Sequence, residues 1–195
     1  KENACVAEFN LTPSPPLAAK RIDYDGFAAC SIDDRCLASI AAHRQRSDAL
    51  TDAVSARYSV TLPDAGLRVD GEDITFIWAG QEQWFATSAR SHGVDLDSAL
   101  REAVGDYASI TDQSDAWCQM ALRGDGAYAV LERLCALDLH PDEFPVASAA
   151  RTVMEHLSVQ ISLVSDTPEF ELLTPSSSAL AFWAALEHAA ASACG

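Results

Sequence analysis

Positive charge is scarce in this 195-residue sequence: 13 Lys+Arg stand against 29 Asp+Glu, a formal net charge of −16. A surface this acidic repels phosphate backbones and anionic headgroups, which argues against nucleic acid and membrane as partners. The complementary partner is a basic protein surface, although an acidic face is more often simply solvated. No apolar run approaches the ~20 residues that a bilayer span needs. The opening "KENACVAEFN" has no apolar core of signal-peptide type and no initiator Met, so a trimmed chain in the cytoplasm is expected. The six cysteines (Cys5, Cys30, Cys36, Cys118, Cys135, Cys194) have no CxxC spacing and too low a density for a disulfide framework. In a chain without a secretion signal the sequon Asn10-Leu11-Thr12 carries no weight. A Gly-rich dinucleotide fingerprint and a G-x-S-x-G nucleophile elbow are both missing.

What remains is ordinary globular composition, 49% apolar and 22% charged. A chain of this length can bury roughly 70% of its unfolded surface, enough for one core or two sharing an interface. Residues 1–20 contain "LTPSPPLAAK", whose prolines oppose a helix and favour an extended arm, either anchored through Leu17 on a partner subunit or an outer groove of this chain or left as a disordered tail. Residues 21–195 read as a single domain that passes twice through one plan. In the first pass residues 35–40 alternate, with Cys36, Ala38 and Ile40 on one face. Ser47 is placed to cap a helix over 48–58, buried through Leu50, Ala53 and Val54. The strands "ITFIWAG" and "QWFATS" follow, then a second helix in "DLDSALREAVGDY" with Leu96, Leu100 and Val104 inward.

The second pass has Cys118, Met120 and Leu122 alternating on a strand. Asp125 is placed to cap a helix that buries Ala127, Val130, Leu131 and Leu134 and carries Cys135. "VQISLV" and "FELLTP" form another hairpin-like pair. Ser176 or Ser177 opens a last helix through Ala179, Trp183, Leu186 and Ala190. "CSIDDRCLASIAA" aligns with "TDQSDAWCQMALR", "QWFATS" with "EFELLT" and "DSALREA" with "SSALAFW". A period of about 82 to 86 residues suits a duplicated half-domain rather than a solenoid repeat. The expected class is α+β: two split-βαβ, ferredoxin-like half-domains, 21–108 and 109–195, related by a pseudo-twofold axis.

"ITDQSDAWCQMALRGDGAYAVLERLCALDL" resembles the Asp-x-Ser turn, strand and following helix of the glycine-cleavage T-protein family. Within that superfamily the sequence is similar to the gamma-subunit family of heterotetrameric sarcosine oxidases. That match rests on "SPPLAA", "WAGQEQWF", "RLCALDLHPDEFPVASAARTVMEHLSVQI" and "EFELLTPSSSALAFWAAL". The resemblance implies the T-protein folate-binding fold and a subunit with no catalytic, cofactor-binding or metal residues of its own. It implies alpha, beta and delta partner subunits that hold FAD, FMN, NAD, zinc and tetrahydrofolate. In the enzymatic relatives an acidic pair assists transfer to or from folate; the matching segment here, "HLSVQISLVS", offers Ser158, Val159 and Gln160. The sequence also ends at Gly195, without the second half that encloses folate in those enzymes. A chain built for a larger assembly is expected to be marginal or self-associating alone.

Several residues invite a functional reading. His43, His92, His140, His156 and His188 form no ligand spacing, so a metal site is not expected. A Ser-His-Asp assembly depends on geometry and stays open at this level. In Arg123-Gly124-Asp125, glycine for a turn and aspartate for a cap explain the tripeptide. Arg151 has two readings: an internal ion pair with an acid such as Asp112, which is favoured, or a contact on a partner-facing surface. Trp78, Trp84, Trp117 and Trp183 fall on core patterns, with one or two available to anchor an interface.

Overall fold

The computed structural model describes residues 14–90 and 95–195. Cys5, the sequon at Asn10 and His92 lie outside them. Eleven strands are β1 (Arg21–Tyr24), β2 (Phe27–Ile32), β3 (Arg35–Ala42), β4 (Arg68–Asp70), β5 (Thr75–Gly80), β6 (Gln83–Ala89), β7 (Ala108–Asp112), β8 (Trp117–Arg123), β9 (Ala149–Met154), β10 (Leu157–Ser165) and β11 (Glu169–Pro175). Four helices are α1 (Ser47–Tyr58), α2 (Leu96–Val104), α3 (Gly126–Leu131) and α4 (Ala179–Cys194). They build two antiparallel sheets, ordered β4-β5-β6-β3-β7 and β1-β2-β8-β11-β10-β9.

Both sheets follow one connection rule. In the five-stranded sheet, β3-α1-β5-β6-α2-β7 is a split-βαβ unit with β4 added at its edge. In the six-stranded sheet, β8, β10, β11 and β9 occupy the places of β3, β5, β6 and β4, as the matched segments require. The fourth place beside β8 is taken by β2, through the register Ala28↔Arg123 to Ile32↔Gln119. From β1 onward the chain therefore begins one sheet, builds the other and returns. The expected division at residue 108 does not coincide with the sheets. β1 and β2 belong with the C-terminal elements, and β7 closes the N-terminal sheet by pairing with β3.

Alternation places the cores. Ala38 and Ile40 of β3, with Phe76, Trp84 and Ala86, face Leu50 and Val54 of α1 and Leu96, Leu100 and Val104 of α2. Cys118, Met120 and Leu122 of β8 point the other way from Trp117, Gln119 and Ala121, and pack on Val130, Leu131, Phe182, Trp183 and Leu186. The faces turned away from the helices meet each other through Leu37, Ile77, Phe85, Ala149 and Leu173. The order is helices, sheet, sheet, helices. Fully burying each large side chain stabilises the fold by roughly 1.5–3 kcal/mol.

Four local expectations are corrected. Residues 1–13 of the expected extended arm lie outside the described residues; of the rest, Pro16 to Ala19 turn, with Ala18 and Ala19 at φ 43° and 58°, and Leu17 sinks into the helix-side core at 1% exposure. Ser47 caps nothing, because its hydroxyl donates to Glu82 Oε1 (2.8 Å) and Arg46 occupies the cap position. Asp125 has right-handed helical backbone and makes no cap bond. α3 stops at Leu131, where bonds from Arg133 and Leu134 to Val130 and Leu131 tighten the chain and leave Cys135 in a loop.

Gly124 needs its missing side chain. It sits at φ +93°, and a Cβ there would lie 2.4 Å from the Gly26 carbonyl oxygen. Gly126 donates to that same oxygen (3.0 Å), so the tripeptide turn is docked on the β1–β2 turn. Gly124→Ala should cost at least about 1 kcal/mol, more than the entropy that alanine recovers from the unfolded chain. A denaturant midpoint equal to wild type would show that the turn relaxes freely.

Candidate functional site

The chemistry-bearing groups gather where the two sheets meet. Arg35 starts β3, Arg68 starts β4, and Glu171 sits mid-β11 with its side chain turned from the helices. Arg35 Nη1 donates to Glu171 Oε1 (2.9 Å) and Arg68 Nη1 to Glu171 Oε2 (3.0 Å). Arg68 Nη2 also donates to Asp70 Oδ1 (2.6 Å), which accepts from Thr75 Oγ1 (2.7 Å). Both Glu171 oxygens are engaged, and Arg68 is buried together with its unpartnered Nε. This ion bridge ties the sheets and engages both oxygens of the carboxylate at its centre.

Asp70 reports the bridge electrostatically. Burial, the strongest influence, pushes its carboxyl up, but the hydrogen bonds from Arg68 and Thr75 and the Arg68 charge outweigh it and hold the group below the usual carboxylate range. A group depressed by folding stabilises above its unfolded pKa, about 3.9 for aspartate, and that contribution fades as pH falls toward the folded value. Asp70→Asn should therefore flatten the loss of stability below about pH 4, leaving the slope near neutrality unchanged. Parallel acid titrations of both proteins would count against the bridge. Because half of the Asp70 side chain is exposed, solvent screening keeps the effect modest.

Beside the bridge runs a row of neutral polar groups. Thr87 Oγ1 donates to the Cys36 carbonyl (2.9 Å) and weakly to Gln119 Oε1 (3.4 Å). Gln160, 1% exposed, donates from Nε2 to the Trp78 carbonyl (2.9 Å), and its Oε1 finds no partner. Where the resemblance puts a folate-assisting carboxylate, β10 thus carries Ser158, Val159 and an amide clamped to β5. These residues do not fit that role. At the sheet junction a cleft of about 310 Å³ is lined by Pro16, Asp33, Arg35, Arg90, Asp115 and Trp117. Its charges are mixed, and Arg35 is already committed to Glu171.

Cys118 reaches this cleft from the core side. Burial, with the Asp33 charge adding, pushes its thiol up to about 11. It should stay protonated at neutral pH and be modified by iodoacetamide far more slowly than the half-buried Cys30 and Cys36. Peptide mapping after brief labelling decides this, and equal labelling of the three would refute it. Among the described residues Cys30, Cys36, Cys118, Cys135 and Cys194 are all free thiols.

The remaining candidates separate. His43 accepts from or donates to Ser109 Oγ through Nε2 (2.9 Å), while Nδ1 meets the Asp106 carbonyl (2.7 Å). The third member is a backbone oxygen on an exposed surface, so the ring clips the β3–α1 loop to β7 rather than forming a triad. No group of three His, Cys, Asp or Glu side chains able to hold a metal occurs among the described residues. Arg123 donates through Nε and Nη2 to Glu169 (2.9 and 2.7 Å). Arg151 does not pair with Asp112, whose carboxylate accepts from Ser114 (2.9 and 2.7 Å). It donates instead to Ser158 Oγ (3.1 Å) and lies 5.9 Å from the centre of the Trp117 ring. Trp84 and Trp183 are core residues with bonded indoles, Trp78 packs on a core, and Trp117 stacks edge-on against Phe85 between the sheets.

Nothing in the local pattern points to the Arg35–Glu171–Arg68 bridge, because each arginine is more than a hundred residues from Glu171. The alternation of β11, with Glu171 between Phe170 and Leu172, was the one available signal.

The fold has close counterparts. A chain of the heterotetrameric sarcosine oxidase from Corynebacterium sp. U-96 superposes with a TM-score of 0.80 at 20% identity, over 94% of this chain and 97% of that one. The glycine cleavage system aminomethyltransferase T from Bartonella henselae gives a TM-score of 0.61 at 15% identity, over 80% of this chain and 44% of that one. An aminomethyltransferase from Exiguobacterium sibiricum is 30% identical over 141 residues, 72% of this chain. The chain spans 38% of that relative's length. The family model described as the GCVT N-terminal domain matches residues 45–194. With two sheets of T-protein type and this match over most of its length, the chain belongs to the GCVT N-terminal domain family.

Proposed function

We propose that this chain is the gamma subunit of a heterotetrameric sarcosine oxidase, a subunit without catalytic residues of its own. The holoenzyme oxidatively demethylates sarcosine to glycine, giving hydrogen peroxide and formaldehyde or 5,10-methylenetetrahydrofolate. Its alpha, beta and delta subunits carry the FAD, FMN, NAD, zinc and tetrahydrofolate. The observation that carries this reading is the neutral, clamped Gln160 on β10, with Glu171 on the neighbouring β11 and both its oxygens taken by arginines. A transferase of this fold needs a carboxylate there that is free to work. The higher structural likeness to a sarcosine oxidase chain than to the aminomethyltransferase supports the same choice.

Co-expression with candidate flavoprotein subunits tests it: a yellow complex that oxidises sarcosine and retains this chain is expected. A chain that never co-purifies with them would sink the proposal. The 30% identity to an aminomethyltransferase favours a second reading, a folate-dependent aminomethyl or methyl transferase. Tetrahydrofolate-dependent turnover by the isolated chain would select it. The subunit reading expects no turnover, and no stoichiometric flavin, nicotinamide or zinc in the isolated chain.

A further inference from the structure

β9 is an outer strand of the six-stranded sheet, and its pairing shows which backbone groups are free. Glu155 and His156, both with positive φ, form a two-residue turn that makes Met154↔Leu157 the first pair of the β9–β10 hairpin. In such a hairpin the flanking pair is hydrogen-bonded and the pairs then alternate. Met154, Thr152 and Ala150 therefore direct their amides and carbonyls to β10, while Val153, Arg151 and Ala149 direct theirs outward. The Ala149 amide is taken by the Gly66 carbonyl (2.7 Å), where the β4 strand approaches. Beyond it the outward groups of Arg151 and Val153 have no partner strand among the described residues.

The side chains on this edge are unusual for a surface left to water. Val153 is 62% exposed, the most exposed large apolar residue among those described. Arg151 is in none of the ion pairs among the described residues. The edge also lacks the proline, lysine or bulge that commonly protects such strands.

We infer that the outer edge of β9 is a strand-addition site for an extended partner segment that sets an aliphatic residue against Val153 and an acidic residue against Arg151. The sheet is antiparallel throughout, so the segment reads aliphatic–any–acidic from its N-terminal side. Main-chain bonds to Arg151 and Val153 supply attachment, and the two facing side chains supply selectivity. Gly66 fixes where the added strand must stop. A second copy of this chain fits poorly. A two-fold pairing centred on Arg151 opposes two guanidinium groups, and one centred on Thr152 sets Arg151 against Val153. One centred on Val153 needs strand at Glu155, whose left-handed backbone (φ 49°) ends it. The inference deepens the subunit reading, and rests on it only for which chain supplies the segment.

Amide hydrogen exchange on the full chain provides the test. The probe is a blocked seven-residue peptide that alternates threonine with valine, valine and aspartate, in that order. At saturating peptide the Arg151 and Val153 amides should slow by roughly tenfold or more, with Thr152, already bonded to β10, unchanged. A peptide with lysine for aspartate should protect less, and Arg151→Glu should reverse that preference. Val153→Pro, which removes one outward donor and no β10 bond, should abolish protection while keeping the rest of the exchange pattern. No slowing at either amide, or equal protection by both peptides, would overturn the inference. In a co-purified flavoprotein complex, fast exchange at these amides would likewise overturn it and leave the subunit reading intact. Failure to form any complex would sink the subunit reading alone, with the peptide result still deciding the edge.

Discussion

Glu171→Ala is expected to destabilise the folded chain by about 3–5 kcal/mol, the range for removing one partner of a buried ion pair. The cost arises less from lost attraction than from what is left behind: Arg68, almost wholly buried, would keep only Asp70, while Arg35, one-third exposed, would fall back on water and the Asp70 charge. Glu171→Gln retains the shape and one acceptor and should fall between the alanine variant and wild type. Replacing Arg35, Arg68 and Glu171 together by methionine and leucine, with Asp70→Asn so that the partner of Arg68 is not left charged, should recover much of the loss, because no charge of the bridge then remains unpaired. Chemical denaturation of the three proteins checks this order. If the single alanine variant costs under 1 kcal/mol, the bridge is solvated and does not hold the sheets together.

Leu17→Ala is the second large effect, at about 2–5 kcal/mol for a leucine emptied from a packed core. Its side chain joins Ile22, Phe27 and Ala29 of the N-terminal hairpin to the core under α4. A flanking change, Pro16→Ala, alters the same turn without opening a cavity and should cost far less. The comparison matters because a proline-rich start reads naturally as a tail whose removal leaves the domain folded. Deletion through Leu17 should instead lower the melting temperature by several degrees. Unchanged melting of both the deletion and Leu17→Ala would restore the tail.

Much of this was legible in the sequence where one period dominated a segment. Cys118, Met120 and Leu122 alternate without interruption, and Leu96, Leu100 and Val104 recur at helical spacing, so strand β8 and helix α2 were evident with their inner faces. The hairpin of β1 and β2 was missed although Asp25-Gly26 between "RIDY" and "FAACSI" is a turn signal, because its small residues barely alternate in hydrophobicity. β4 is three residues long and β9 mixes Arg and Thr into its pattern, so neither stands out alone. The cap assignments at Ser47 and Asp125 failed for a different reason. A side chain that can cap a helix can also bond elsewhere, and Glu82, thirty-five residues away, claimed Ser47. The Arg151–Asp112 pairing failed similarly, since Ser114 two residues on was the nearer partner for Asp112. Local pattern finds elements, and long-range chemistry decides who bonds to whom.

The borrowing of β2 by the C-terminal sheet has a consequence for synthesis. As the chain emerges from the ribosome, the β1–β2 hairpin is made well before β8, the partner of β2, which arrives roughly ninety residues later and must close a long loop to reach it. At about 5–20 residues per second the hairpin waits several seconds with one flank unpaired. The five-stranded sheet, complete at Asp112, can assemble in that interval. Its formation brings Arg35, and with it the end of β2, beside the place where β8 will form, and so shortens the search. Variants that delay the first sheet should therefore lengthen the exposure of the hairpin to aggregation, even when they leave the finished protein as stable as before.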